Sequence, residues 1–154
     1  MQPKSFIKIL TIIHGSLCIG LAVFGAFAFF QNGSFAVSTD TNDVFIYIVP
    51  IIAMAGYFGS KFVYQNLIRK LPKEELLLTK LQRYQLASIV KYALIEAPAF
   101  LALFAYYYSG NAMHLIIAIC LIVYLFFQRP TLEKLKSELP LNLEEEKEFD
   151  TLKR

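Results

Sequence analysis

The stretch LASIVKYALIEAPAFLALFAYYY, Leu86–Tyr108, decides the class of this chain. At 1.5 Å per helical residue it is long enough to cross about 30 Å of hydrocarbon. Glu96, its one acidic residue, stands near the middle. A carboxylate in hydrocarbon is costly unless it is protonated, paired or wetted, so an intramembrane ionisable group is a functional candidate by default.

Working outward, three further apolar stretches satisfy the same length test: Ile9–Phe30, Val44–Tyr64 and Ala112–Phe127. The composition agrees, with 56% hydrophobic residues, 18% charged residues and a mean hydropathy of +0.50, too apolar for a soluble domain of 154 residues. The expected fold is therefore all-α: a four-span membrane domain over residues 1–129, arranged as two hairpins, followed by a cytoplasmic tail, 130–154. Ala26-Phe27-Ala28 also resembles a signal-peptide cleavage site, but the apolar run before it exceeds the usual 7–15 residues of such a signal.

Basic residues set the expected orientation, because Lys and Arg accumulate in cytoplasmic loops. Lys4 and Lys8 precede the first span, Lys61 stands near the end of the second, Arg69 through Arg83 lie between the second and third, and Arg129, Lys134 and Lys136 follow the fourth. The segments Gln31–Asp43 and Ser109–Asn111 contain neither Lys nor Arg. Both termini are thus expected in the cytoplasm, with the chain in a plasma (inner) membrane. A cysteine placed at Asn32 or Ser109 should react with an impermeant thiol reagent added outside sealed cells. One at Thr79 should not, and its labelling would reverse the topology.

The two halves align without gaps when Thr11–Gly33 is laid on Ser88–Gly110, pairing Ala22 with Ala99, Phe27 with Phe104, and Gly33 with Gly110. Both copies would begin on the cytoplasmic side, giving a parallel repeat. Small residues at i, i+4 spacing, namely Cys18, Ala22 and Ala26 in the first span and Gly56 and Ser60 in the second, predict faces of close helix approach.

Pro50 and Pro98 interrupt the second and third spans and are expected kinks. Pro98 has no N–H for the Leu94 carbonyl, so an unsatisfied backbone group lies about one turn from Glu96. With each span centred in the bilayer, His14, Tyr57 and Tyr124 fall near the depth of Glu96. The predicted polar cluster is therefore Glu96, His14, Tyr57 and Tyr124, acting either as a packing pin or as a proton or ion site. His114, near the outer surface, is expected to be interfacial.

Between the hairpins, a helix is expected to start at Pro72 and run without a breaker into the third span. Lys73, Lys80 and Lys91 would form a solvated stripe on it. After the fourth span, Leu132, Leu135 and Leu139 make an amphipathic face suited to the membrane surface or the loop helix. Asn142 is placed to cap a short acidic helix, Leu143–Phe149, expected to be solvated.

Gly56-Tyr57-Phe58-Gly59-Ser60-Lys61-Phe62, then Arg69-Lys70-Leu71-Pro72-Lys73-Glu74, then Ala93-Leu94-Ile95-Glu96-Ala97-Pro98, resemble the hairpin of the rotary ATP synthase c subunit. The resemblance implies an ion-binding carboxylate at Glu96 within an oligomeric ring. The second span departs from that family in lacking its repeated glycines, and spans flank the hairpin on both sides.

Cys18 and Cys120 each lie inside a span with no C-x-x-C spacing, so no disulfide or metal is expected. The sequence carries no readable nucleophile–base pair, phosphate loop or cofactor motif. No basic-aromatic nucleic-acid module appears either. The functional expectation is a non-enzymatic accessory or structural membrane protein whose partners are the lipid bilayer and a protein, either a second copy or another chain. The alternative is ion- or proton-coupled transport through Glu96.

Overall fold

A computed structural model describes residues 3–39 and 42–151. They form six helices: α1 Pro3–Asn32, α2 Phe45–Arg69, α3 Leu77–Ser109, α4 Ala112–Phe127, α5 Leu132–Glu138 and α6 Leu143–Thr151. Among the described residues there is no strand. By length and composition α1, α2 and α3 can each cross a membrane, and α4 with α5 counts as a fourth span if the pair, bent by 82°, is taken as one.

Local chemistry explains where the helices begin and end. Pro3 opens α1, where the N–H that proline lacks has no helical partner. Gly33 and Gly110 end α1 and α3 in the left-handed region, at φ 58° and 69°. Their N–H groups return to Phe29 O at 2.7 Å and Tyr106 O at 2.8 Å. These two glycines are paired in the sequence alignment of the halves, and they end their helices in the same way. Asn111 caps α4 by accepting from Met113 N at 3.1 Å, and Thr131 caps α5 by accepting from Lys134 N at 3.2 Å.

α3 is the axis of the molecule. Its buried side chains run from Lys80 to Tyr106, and Ala87, Ala99, Ala102 and Ala105 are fully buried. Side chains this small let three other helices approach its backbone. α1, α2 and α4 all pack on α3, whereas α1 and α2 barely touch. The expected first hairpin is therefore absent as a packed unit, because α3 supplies the small-residue surface that both helices use.

The segment joining α1 to α2 crosses the tight α3–α4 turn instead. Ala112 N donates to Ala36 O at 3.0 Å, Asn111 Nδ2 donates to Ser38 O at 2.8 Å, and Ser38 N donates to Asn111 Oδ1 at 3.2 Å. Asn32 Nδ2 donates to the carbonyls of Tyr106 and Tyr107, each at 2.9 Å, which ties the end of α1 to the end of α3.

Both prolines lie inside continuous helices. At Pro98 the backbone of α2 comes close: a Cβ placed on Gly56 would stand 2.4 Å from Leu94 O and 2.4 Å from Pro98 Cγ. The carbonyl that proline deprives of its donor is thus covered by the Gly56 Cα–H, a weak donor that can approach only because no side chain intervenes. Gly56 and Ser60 are buried, in agreement with the predicted packing stripe on α2.

The stripe on α1 is different. Ala22 and Ala26 are exposed, and α1 buries Leu10, His14, Leu21 and Ala28 in their place. α3 also begins later than expected, at Leu77, after a turn in which Glu75 N reaches Pro72 O at 3.5 Å.

The tail is not a solvated end. Leu135, Leu139, Leu141 and Phe149 are buried, and α5 packs against both α1 and α6. The predicted lysine stripe is broken by the same docking. Lys80 is fully buried, with Nζ 2.8 Å from Glu145 Oε2 and 2.8 Å from Lys73 O. Glu145 also accepts from Asn142 N at 2.8 Å while Asn142 Oδ1 accepts from Glu145 N at 2.8 Å, a reciprocal capping box that fixes the carboxylate for Lys80.

Candidate functional site

The four residues of the predicted cluster divide into separate groups. His14 lies on the buried face of α1, and its Nε2–H donates to Leu125 O at 2.7 Å. Its ring meets Tyr92 edge-on, with centroids 5.0 Å apart. Tyr92 OH donates to Gln128 O at 3.2 Å, and Lys134 Nζ donates to Phe127 O at 3.0 Å. A helix terminus leaves its last carbonyls without intrahelical donors, and in an apolar setting each would be costly. His14, Tyr92 and Lys134 donate to carbonyls at the C-terminal end of α4, beside the backbone bonds from Gln128 N to Leu125 O and Arg129 N to Phe126 O.

Tyr57 and Tyr124 do meet, with ring centroids 4.8 Å apart across α2 and α4. Lys61 Nζ donates to Tyr57 OH at 2.6 Å. This pair is turned away from His14, which contacts the backbone of Leu125 rather than the Tyr124 ring.

Glu96 stands apart from both. Tyr92 and Phe100 lie four residues to either side of it on the same face of α3, and both contact α1, through His14 and through Phe24 at 5.4 Å. Glu96 therefore lies on the α1–α3 seam, within electrostatic range of Cys18. It is half-buried, and among the described residues it makes no hydrogen bond or ion pair. Lys91 is no partner, as the helical spacing predicts; its Nζ sits over the Tyr64 ring at 4.3 Å.

At the opposite end of the helices, His114 is fully buried and not interfacial. Its Nε2 lies 3.1 Å from Asp43 Oδ2, and its Nδ1 is buried without a partner among the described residues. Burial, the largest influence on Asp43, pushes its carboxyl up. The hydrogen bonds from His114, Phe45 N–H and Asn111, with the attraction of His114, outweigh that and hold it below its ordinary value of 3.8. Nothing in the sequence spacing marks this pair, because 71 residues separate its members. Asp43 fastens the α1–α2 connection to α4 and also accepts from Phe45 N, the first amide of α2, at 3.0 Å.

Among the described residues no group of three or more His, Cys, Asp and Glu side chains could hold a metal. Cys18 and Cys120 are free thiols. Set against known proteins, the chain matches no family model, no curated protein and no solved structure. The likeness of residues 56–98 to a rotor hairpin thus rests on its short motifs alone. In this chain those motifs build the antiparallel α2–α3 contact at Gly56 and Pro98.

Proposed function

We propose that the chain is a non-enzymatic subunit of an oligomeric membrane assembly, with both ends in the cytoplasm and Glu96 at a contact between chains. Glu96 carries the reading: a half-exposed carboxyl in the apolar part of α3, on the α1–α3 seam, with no donor among the described residues. Exposed to hydrocarbon, such a group is disfavoured, and a hydrogen-bond donor on a neighbouring helix removes that cost. The other polar groups of the bundle support the same view by contrast. His14, Tyr92 and Asn32 are bonded to backbone carbonyls, which makes them fasteners of the fold.

The test is the mass of the particle in lipid nanodiscs, read by native mass spectrometry for wild type, Glu96→Gln and Glu96→Ala. The amide keeps hydrogen-bonding capacity, so Glu96→Gln should assemble like wild type. Glu96→Ala leaves the partner's donor unsatisfied, costing about 1–3 kcal/mol, or roughly fivefold to more than a hundredfold in association. A wild-type particle that stays monomeric at every protein density rejects the proposal. Normal assembly of Glu96→Gln, combined with loss of ion flux in proteoliposomes, would move Glu96 from assembly to ion translocation.

A further inference from the structure

At the basic end of the bundle, side chains from α2, α3, α4 and α5 line an open cavity of about 430 Å³. Three cations line it, Lys61, Arg69 and Lys91, against one carboxylate, Glu138. Glu138 already accepts from Tyr64 OH. Lys91 Nζ has only the Tyr64 ring beneath it, and among the described residues it makes no hydrogen bond or ion pair. The cavity thus presents an excess of positive charge and unsatisfied donors where α2 and α4 end.

A second cavity adjoins the first at Tyr124. Tyr124 lines both, and beyond it a groove of about 330 Å³ runs between α2 and α4, past Ala53, Met54, Ile117 and Cys120. Its walls are almost entirely apolar. The Tyr57 and Tyr124 rings, inclined at 56° to each other, mark the junction, with the Tyr57 hydroxyl bonded to Lys61. A basic chamber leading through an aromatic pair into an apolar slot matches a molecule with an anionic head and a hydrocarbon chain.

We propose that this composite cavity binds one anionic phospholipid. The headgroup phosphate is held by Arg69 and Lys91 with Lys61 at the rim, and one acyl chain lies in the α2–α4 groove. Arg offers a fork matched to phosphate oxygens, and Lys adds a point charge. Basic pockets between spanning helices on the cytoplasmic side suit such headgroups, which also agrees with the Lys/Arg sidedness of the sequence. A free phosphate would use the chamber and leave the groove empty. The proposal uses the membrane reading of the chain and is independent of the role assigned to Glu96.

The experiment takes the full chain in mild detergent and measures thermal unfolding and bound lipid by native mass spectrometry. Phosphatidylglycerol, phosphatidylcholine and inorganic phosphate at matched ionic strength are the three additions. Phosphatidylglycerol should bind and raise the unfolding temperature, and the other two should not. Arg69→Gln, at an exposed side chain, and Lys91→Gln should each weaken phosphatidylglycerol binding about fivefold. Cys120→Phe, which fills the groove from an exposed position, should weaken it without altering stability in phosphatidylcholine. Equal protection by phosphatidylcholine, or phosphatidylglycerol binding indifferent to both charge variants, overturns the proposal. Protection by phosphate alone, with Cys120→Phe showing no effect, replaces the lipid with a free anion and overturns it as well.

Discussion

Gly56→Ala should fail to give a folded protein at wild-type yield, and Gly56→Leu should fail more completely. The added methyl would meet Leu94 O and Pro98 Cγ, each at 2.4 Å, and neither the α3 backbone nor a proline ring can swing aside. Two effects compete. Replacing a helical glycine with alanine gains about 0.5–1 kcal/mol in conformational entropy. Overpacking a close contact costs about 1–3 kcal/mol. Here it also uncovers the carbonyl that Pro98 leaves without a donor, so the penalty wins. Gly59 is the matched control, since a Cβ there meets nothing within 4 Å. Gly59→Ala should melt at or above the wild-type temperature. If Gly56→Ala purified and melted like Gly59→Ala, the close α2–α3 approach would be wrong.

The second large effect belongs to the Lys80–Glu145 pair. Lys80 is fully buried, and removing Glu145 leaves an uncompensated charge under α6. Breaking a buried pair from one side costs about 3–5 kcal/mol. The C-terminal segment can limit that loss by undocking and letting water reach Lys80. Glu145→Ala should therefore release residues 140–151 to protease while the long helices keep their melting behaviour. Lys80→Ala should do the same. The double variant Lys80→Met, Glu145→Leu replaces the pair with apolar groups of similar size and should hold the tail in place. Protection should persist at high salt, because a buried pair is poorly screened. Equal protease resistance in wild type and Glu145→Ala would show that the apolar contacts of Leu141 and Phe149 suffice.

The parts of the fold that were legible in the sequence are those encoded locally. Apolar length marked the long helices, and Gly33 and Gly110 marked two helix ends. Pro98 announced an unsatisfied Leu94 carbonyl, and the Gly56–Ser60 spacing announced a close approach. That these two features answer each other is a tertiary fact, with no local signal for it. The Cys18–Ala22–Ala26 stripe shows the converse. Small side chains permit close packing but do not choose the face, and α3, richer in buried alanines, became the common partner.

Long-range polar pairs were the least legible. Lys80 finds Glu145 and His114 finds Asp43 across 65 and 71 residues, distances at which helical periodicity carries no information. The capping signature Asn142-x-x-Glu145 was readable. It located a helix start, and it gave no hint that its carboxylate also neutralises a buried lysine. Of the predicted polar cluster, His14 and the Tyr57–Tyr124 pair both reach α4, while Glu96 lies on the α1–α3 seam. Rotation about each helix axis was unknown, and it is rotation that separates Glu96 from the rest.

The central position of α3 has a consequence for biogenesis. The ribosome delivers α1 and α2 first, yet these helices barely touch and the surface both require has not been made. Until Leu77–Ser109 emerges, each must wait with its packing face uncovered. The contacts of Ala36, Ser38 and Asp43 can form only later still, because their anchors, Asn111, Ala112 and His114, come at the start of α4. The order of synthesis and the order of assembly are thus opposed in this chain. Its first half is a pair of lodgers awaiting a host, and quality control would find its earliest targets there.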